Sequence, residues 1–245
     1  METYLYIALF APLMGSLVAG LFAQRPKLLF TGIFTSLMIG ISMIASLNLL
    51  YFVMTSDQIV HVFMMDWIQI GNLDIHFGFV ADQISVTMMV VVTIVSTMVH
   101  IHSIGYMDKD KSFNRYFSYL SAFVFSMMVL VMSDNFAGLF IGWEGVGLCS
   151  WLLIGFWYQK KDQEIIDDVK KSPFSTLSPY SSISPSYAAN EAFITNRVAD
   201  LGMLIGLFLI YWNLGTLEYS EVFEHISTLS TGLIVLIASC LFIGA

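Results

Sequence analysis

Apolar segments long enough to cross a membrane recur along the whole chain. A helix rises about 1.5 Å per residue, so about twenty apolar residues cover the roughly 30 Å hydrocarbon core of a bilayer. The pattern predicts an all-α, polytopic membrane protein, a helix bundle with six complete transmembrane helices plus a truncated seventh that begins near Thr231. We therefore expect the chain to be the N-terminal part of a longer protein. The six predicted spans are residues 3–22, 28–54, 80–104, 114–132, 136–158 and 189–212.

The composition supports lipid as the solvent of these segments. Hydrophobic residues make up 57% of the chain, charged residues 11%, and the mean hydropathy is +0.78. Soluble domains usually carry about 25% charged residues, so this much apolar surface predicts a bilayer as the main partner. The net charge of −8 argues against a nucleic-acid partner, because phosphate binding needs basic side chains. The two cysteines, Cys149 and Cys240, lie in apolar runs without the spacing of a metal site.

The positive charges are sorted onto one side of the predicted helices. All ten Lys and Arg residues fall in or beside alternate connections, while the other connections carry acids and histidines. The positive-inside rule then places the N-terminus outside and the 23–27, 105–113 and 159–188 loops in the cytoplasm. The basic residues are Arg25, Lys27, Lys109, Lys111, Arg115, Lys160, Lys161, Lys170, Lys171 and Arg197.

Residues 1–245 are expected to form a single transmembrane domain with two unusual connections. Residues 58–80 alternate apolar and polar side chains around Gly71-Asn72, which predicts a β-hairpin on the outer face. Residues 162–187 run from acidic residues into a Ser/Pro-rich stretch, which predicts a flexible cytoplasmic loop.

Three ionisable residues lie inside predicted spans, where charge is costly and functional sites are favoured. Glu144 is on the fifth span, and Arg197 and Asp200 share one face of the sixth at i,i+3 spacing. Apolar surroundings raise the proton affinity of a carboxylate, whereas a nearby cation lowers it. A carboxylate that experiences both effects can take up and release a proton. The alternative is structural: Arg197–Asp200 would fix helix packing, and Glu144 would hydrogen-bond a neighbour.

The helix around Glu144 also carries a stripe of small residues at Gly138, Gly142, Gly145 and Cys149. At 100° per residue the stripe lies about 130° from Glu144. One face would then allow close approach of another helix, while a different face presents the carboxylate.

Four further polar residues are weaker candidates. His100 and His102 lie near the cytoplasmic end of the third span, where we expect water at the membrane interface to contact both side chains. Asp82 and Asp134 lie near the outer boundary, where we expect water to hydrate them.

Several stretches are specific enough to indicate a family. SIGYM (103–107), YFSYLSAFVFSMMVLVMSDN (116–135) and GWEGVGLCSWLLIGFW (142–157) closely resemble the L subunit of bacterial NADH:quinone oxidoreductase, respiratory complex I. ADQISVTM (81–88) and AFITNRVADLGMLIGLF (192–208) continue this resemblance in register. It covers nearly the whole chain.

The resemblance implies an antiporter-like fold of inverted five-helix repeats, each with a broken helix. It also implies a proton relay that uses Glu144, Arg197 and Asp200, with no catalytic, cofactor-binding or metal-binding residue on this chain. NADH and a quinone would react on other subunits of the complex, which would be its protein partners in the inner (cytoplasmic) membrane. Two departures are a longer 162–187 loop and a lysine of the family's seventh helix that these residues do not include.

Three functions remain open from the sequence. The leading one is a proton-translocating subunit that couples quinone reduction to proton pumping. The second is a subunit of a multisubunit sodium/proton antiporter, which has the same fold but no redox chemistry. The third is a non-transporting membrane scaffold, in which neutralising Glu144 would affect stability alone.

Overall fold

The computed structural model of the protein describes residues 1–70, 73–158 and 184–244. Six helices in this part of the chain are long and apolar enough to cross a membrane, which confirms the predicted all-α membrane bundle. Their ends lie within a few residues of the predicted ends, apart from those of the fifth and sixth. The helices are α1 (Glu2–Leu21), α2 (Leu29–Ser56), α3 (Gln83–Tyr106), α4 (Phe113–Met132), α5 (Phe136–Ile154) and α6 (Pro185–Leu214).

A two-stranded antiparallel sheet connects α2 to α3. Strands β1 (Val60–Ile70) and β2 (Leu73–Ala81) occupy the segment for which a hairpin was predicted, with Val60 opposite Ala81. The Gly71-Asn72 pair at its predicted turn lies outside the described residues. Asp82 follows β2 and caps α3, where its carboxylate accepts a hydrogen bond from the Ser85 backbone at 2.7 Å.

The sixth helix begins four residues earlier than predicted. The side chain of Ser184 accepts a hydrogen bond from the backbone of Tyr187, and Pro185 occupies the first helical position. Both are standard helix-start features, so the predicted 162–187 loop is wrong for residues 185–187. The rest of that predicted loop, residues 162–183, lies outside the described part of the chain.

The chain after α6 contains a short helix that the sequence did not indicate. Gly215 ends α6 with a φ of 77°, a left-handed conformation that glycine adopts without strain. Helix α7 (Tyr219–His225) and a 3₁₀ turn (Ile226–Thr228) follow. Helix α8 (Thr231–Gly244) occupies the position of the predicted seventh span and packs on α6.

Sequence neighbours are also neighbours in space for most of the bundle. Helix α1 packs on α2 and α4, α2 packs on α3, and α4 packs on α5, which in turn contacts α6. Polar side chains join the helices within the apolar interior. Ser16 and Ser118 each donate a hydrogen bond to the other's backbone oxygen, at 2.9 and 3.0 Å, and Ser42 donates to the Ala8 oxygen at 2.6 Å. Such bonds and close contacts hold helices together where lipid removes the hydrophobic drive between them.

The two histidines of α3 have different surroundings, and the prediction for His100 is wrong. His100 is fully buried: Nδ1 lies 2.8 Å from the Ser96 oxygen and Nε2 lies 3.2 Å from the Ser121 hydroxyl. His102 is exposed. Two residues turn a helix by about 200°, so the two rings point in nearly opposite directions and one of them faces α4.

Candidate functional site

Glu144 lies near the middle of α5. Asn135 fixes the start of this helix, because its side-chain oxygen accepts a hydrogen bond from the Gly138 backbone at 2.8 Å. Glu144 is the eighth residue after Phe136, about 12 Å along the helix axis. The glutamate is therefore well inside the apolar length of the helix.

Asp200 lies near the middle of α6 and belongs to its buried stripe. Asp200, Met203, Leu207 and Ile210 repeat at helical spacing and are all buried. The large apolar side chains on the other face are exposed, as lipid-facing residues would be: Leu201, Ile205, Phe208 and Trp212.

Arg197 contacts both carboxylates. Its Nη1 atom forms an ion pair with Glu144 across the helix contact, and the same atom lies 3.6 Å from Oδ2 of Asp200 one turn along α6. The structure thus brings together the three residues that the sequence predicted, although they come from two helices. One guanidinium is shared by two carboxylates, and the three side chains carry one net negative charge when all are ionised.

Trp143 holds the other oxygen of Asp200. Its indole Nε1 donates a hydrogen bond of 2.9 Å to Oδ1, while Oδ2 faces Arg197. Asp200 is 4% exposed, so both carboxylate oxygens have a partner in an apolar setting. Trp143 was not among the predicted residues; its position next to Glu144 and its N–H group, which needs an acceptor when buried, were the available signals.

Arg197 is fixed on its other side by an aromatic ring. The guanidinium carbon lies 4.6 Å from the ring centroid of Phe193, one turn earlier on α6, in a cation–π contact. Its Nε atom is buried and has no hydrogen-bond partner among the described residues. A guanidinium with one free donor can change partners at a lower cost than one whose donors are all satisfied.

A cavity of about 420 Å³ opens beside these side chains, between α4, α5 and α6. Its wall includes Asp200 and Trp143, with the polar side chains of Ser150 and Asn196. A water molecule takes up about 30 Å³, so the space and its polar groups suit several waters. Water there would bring Asp200 within proton-transfer reach of other groups.

The small-residue stripe of α5 faces α4, on a different side from Glu144. A methyl group added at Gly142 would come within 2.4 Å of the Leu130 backbone nitrogen, and one at Gly145 within 2.7 Å of the Ser126 hydroxyl. The Ser126 hydroxyl also lies 4.0 Å from the sulfur of Cys149. As the angular argument predicted, one face of α5 allows close packing while another presents the carboxylate.

Two family models match parts of this chain. Residues 67–117 match the model described as NADH-ubiquinone oxidoreductase (complex I), chain 5 N-terminus. Residues 174–245 match the one described as NADH:quinone oxidoreductase/Mrp antiporter, transmembrane. Among solved structures, a chain of the membrane-bound sulfane sulfur reductase, an archaeal respiratory membrane complex, has a TM-score of 0.76 at 12% identity. That match covers 98% of this chain and 43% of the other, and shows the common fold.

Curated relatives match along the whole chain. The NADH-quinone oxidoreductase subunit L of Campylobacter jejuni is 47% identical over 100% of this chain and 36% of its own length. The NADH-ubiquinone oxidoreductase chain 5 of Chondrus crispus is 35% identical over 99% of this chain and 34% of its own length. The chain thus spans about a third of the length of these relatives. It belongs to the subunit L/chain 5 family of antiporter-like membrane subunits of NADH:quinone oxidoreductase.

Proposed function

We propose that this chain is part of a proton-translocating subunit of NADH:quinone oxidoreductase, and that Glu144, Arg197 and Asp200 form a proton relay within it. The observation that carries the proposal is the contact of one guanidinium with two carboxylates near the middle of adjacent spans. Ionisable groups at that depth are costly, and they mark proton pathways in membrane proteins.

The shared guanidinium gives the relay two arrangements. While Glu144 is charged, it holds Arg197. When Glu144 takes up a proton it loses that charge, and Arg197 then moves toward Asp200, which is 3.6 Å away. Trp143 keeps Asp200 oriented during this exchange through its hydrogen bond to the other oxygen. Loss of the proton from Glu144 restores the first arrangement, so the position of Arg197 is linked to the proton on Glu144.

The redox chemistry belongs to other subunits in this proposal. NADH oxidation and quinone reduction would occur elsewhere in the complex, and other membrane subunits of the complex would transmit the change to this chain.

The chain would lie in the cell inner membrane with its N-terminus outside, since its Lys and Arg residues favour that orientation. Cysteine introduced at Ser56 should then react with an impermeant thiol reagent from outside, and cysteine at Lys109 from the cytoplasm; the reverse pattern would invert the orientation.

The test of this function is NADH-driven proton transport in sodium-free proteoliposomes. The assembled complex should move protons when NADH and a quinone are supplied, and a complex lacking this subunit should move fewer per NADH oxidised. Equal proton transport without the subunit would contradict the proposal and support a non-transporting scaffold.

A sodium/proton antiporter is the second candidate, because the family model matched by residues 174–245 also names the Mrp antiporter. Proteoliposomes of the same preparation, now with sodium on one side of the membrane, distinguish the two functions. Proton movement that follows an imposed sodium gradient in the absence of NADH would favour the antiporter and contradict the redox-driven pump.

A further inference from the structure

Three titratable side chains meet at the end of the bundle that carries the hairpin, ten residues or more along the chain from the residues of the proposed relay. His76 lies on β2, Asp134 lies between α4 and α5, and Glu218 immediately precedes α7. Backbone contacts hold these segments together. Asn135 forms an isolated β-bridge with Glu218, and its side chain donates a hydrogen bond of 2.9 Å to the backbone oxygen of His76.

The side-chain atoms of the three residues are close together. Nε2 of His76 lies 3.1 Å from Oδ2 of Asp134, and Nδ1 lies 3.2 Å from Oε1 of Glu218. Each residue offers a ligand atom within 4.8 Å of those of the other two. The carboxylates are largely covered, with 16% and 15% of their side chains exposed, while the imidazole is 31% exposed and gives access from solvent.

A glycine makes room for this arrangement. A methyl group added at Gly78, two residues after His76 on β2, would come within 2.0 Å of Oδ2 of Asp134. That oxygen is the one that faces the histidine. The hairpin therefore accepts the Asp134 carboxylate at this position because Gly78 has no side chain.

The local charge favours a cation. In the sequence, the segments 57–82, 133–136 and 213–230 contain acidic and histidine side chains but no Lys or Arg. Asp66 lies opposite His76 in the register of β1 and β2 and adds another carboxylate to the hairpin. Two carboxylates that approach one imidazole favour a bound cation through their negative charge.

We propose that His76, Asp134 and Glu218 bind a divalent first-row transition-metal cation, of which Zn²⁺ is the best match. One imidazole nitrogen and two carboxylates form a donor set used by zinc, whereas Mg²⁺ and Ca²⁺ prefer oxygen ligands alone. Zinc bonds of about 2.0–2.1 Å separate tetrahedral ligand atoms by about 3.4 Å. One ligand atom of each residue lies within 4.8 Å of those of the other two, so small side-chain rotations would bring one nitrogen of His76 and both carboxylates to that separation. Water from the exposed side would complete the coordination. The cation would join strand β2 to the connection between α4 and α5 and to the start of α7.

The experiment measures Zn²⁺ binding by the complete subunit in its purified, assembled complex after treatment with a chelator. Zn²⁺ alone is titrated by calorimetry, and bound metal is counted by mass spectrometry. The wild type should bind one more Zn²⁺ per complex than His76→Gln, and Asp134→Asn should weaken that binding at least about ten-fold. Gly78→Ala should weaken it also, since it displaces Asp134 without removing a ligand. An equal concentration of Mg²⁺ should not displace the metal.

His61→Gln is the matched control, because His61 is an exposed histidine on the other strand of the same hairpin. It should bind Zn²⁺ as the wild type does. Equal Zn²⁺ number and affinity in the wild type, His76→Gln and Asp134→Asn would overturn the proposal and leave the cluster as an ion-pair contact. Glu218→Gln, which keeps the size of the side chain, provides the same comparison if His76→Gln does not assemble.

Discussion

Asp200 is held through both of its carboxylate oxygens by side chains from two helices. Trp143 donates to one oxygen at 2.9 Å, and Arg197 lies 3.6 Å from the other. A carboxylate that is 4% exposed needs such partners, because an unpaired charge in an apolar setting is strongly unfavourable. The geometry of the proposed relay therefore depends on a neutral tryptophan as well as on the charged residues.

Trp143→Phe should reduce the number of protons moved per NADH while the complex still assembles. The substitution keeps an aromatic ring but removes the donor, and a hydrogen bond to a charged group contributes about 1.5–3 kcal/mol. Asp200 would then bind Arg197 more strongly and hold it away from Glu144. Proton transport and NADH oxidation are measured on the same preparation.

Trp151→Phe is the matched control for this prediction. Trp151 is on the same helix, and its indole donates to Asn190 at 3.1 Å in an exposed position. The loss of that bond should leave pumping unchanged. Equal pumping ratios in the two variants would show that Trp143 does not position the relay.

The charged residues of the site could be predicted from sequence, whereas their uncharged partner could not. Glu144, Arg197 and Asp200 are conspicuous because charge inside an apolar span is rare. A tryptophan in a membrane protein has several ordinary places, and this chain has five of them. The acceptor of the Trp143 indole depends on how α5 packs against α6. The residues near Trp143 in the sequence do not reveal that packing.

Among the secondary-structure elements, α5 has two faces that make different contacts. Its glycine face packs so closely on α4 that a methyl group at Gly142 would meet the Leu130 backbone at 2.4 Å. Because backbone atoms cannot move aside as a flexible side chain does, the helices would have to separate. The other face presents Glu144 to α6.

Gly142→Ala should destabilise the subunit by about 1–3 kcal/mol through overpacking. Gly40→Ala, the control on α2, should be neutral or slightly stabilising, since a methyl group there meets no atom within 4 Å. The measurement is the fraction of subunit that remains in the complex after brief heating. If Gly142→Ala is as heat-resistant as Gly40→Ala, the close contact between α4 and α5 is not important for stability.

Helix positions followed from the sequence, but some helix ends did not. The Ser/Pro-rich composition of residues 162–187 outweighed a local signal at Ser184-Pro185, where a capping side chain and a proline begin α6. Helix α7 has seven residues, too few for a clear apolar period. His100 was misassigned because its position near a helix end indicated water, while its direction around the axis decided its burial.

At the scale of the whole molecule, the length and number of apolar segments determine a membrane bundle. A chain of 245 residues that contains six such helices fits a membrane-spanning bundle and few other fold classes. The meeting of His76, Asp134 and Glu218 was not predicted, because three segments distant in sequence form it. Asp134 illustrates the difference: it was expected to be hydrated near the boundary, and its carboxylate is instead largely covered by the hairpin.

The proposed relay is tested by the number of protons that the Glu144→Gln variant moves per NADH oxidised. Glutamine keeps the size of the side chain but cannot exchange a proton, so the assembled complex in proteoliposomes should move markedly fewer protons per NADH oxidised. Glu191→Gln is the control: it makes the same chemical change at an exposed position of α6, six residues before Arg197, and should pump as the wild type does. A wild-type ratio in Glu144→Gln, in a complex that assembles fully, would contradict the proposed relay and make Glu144 a structural residue.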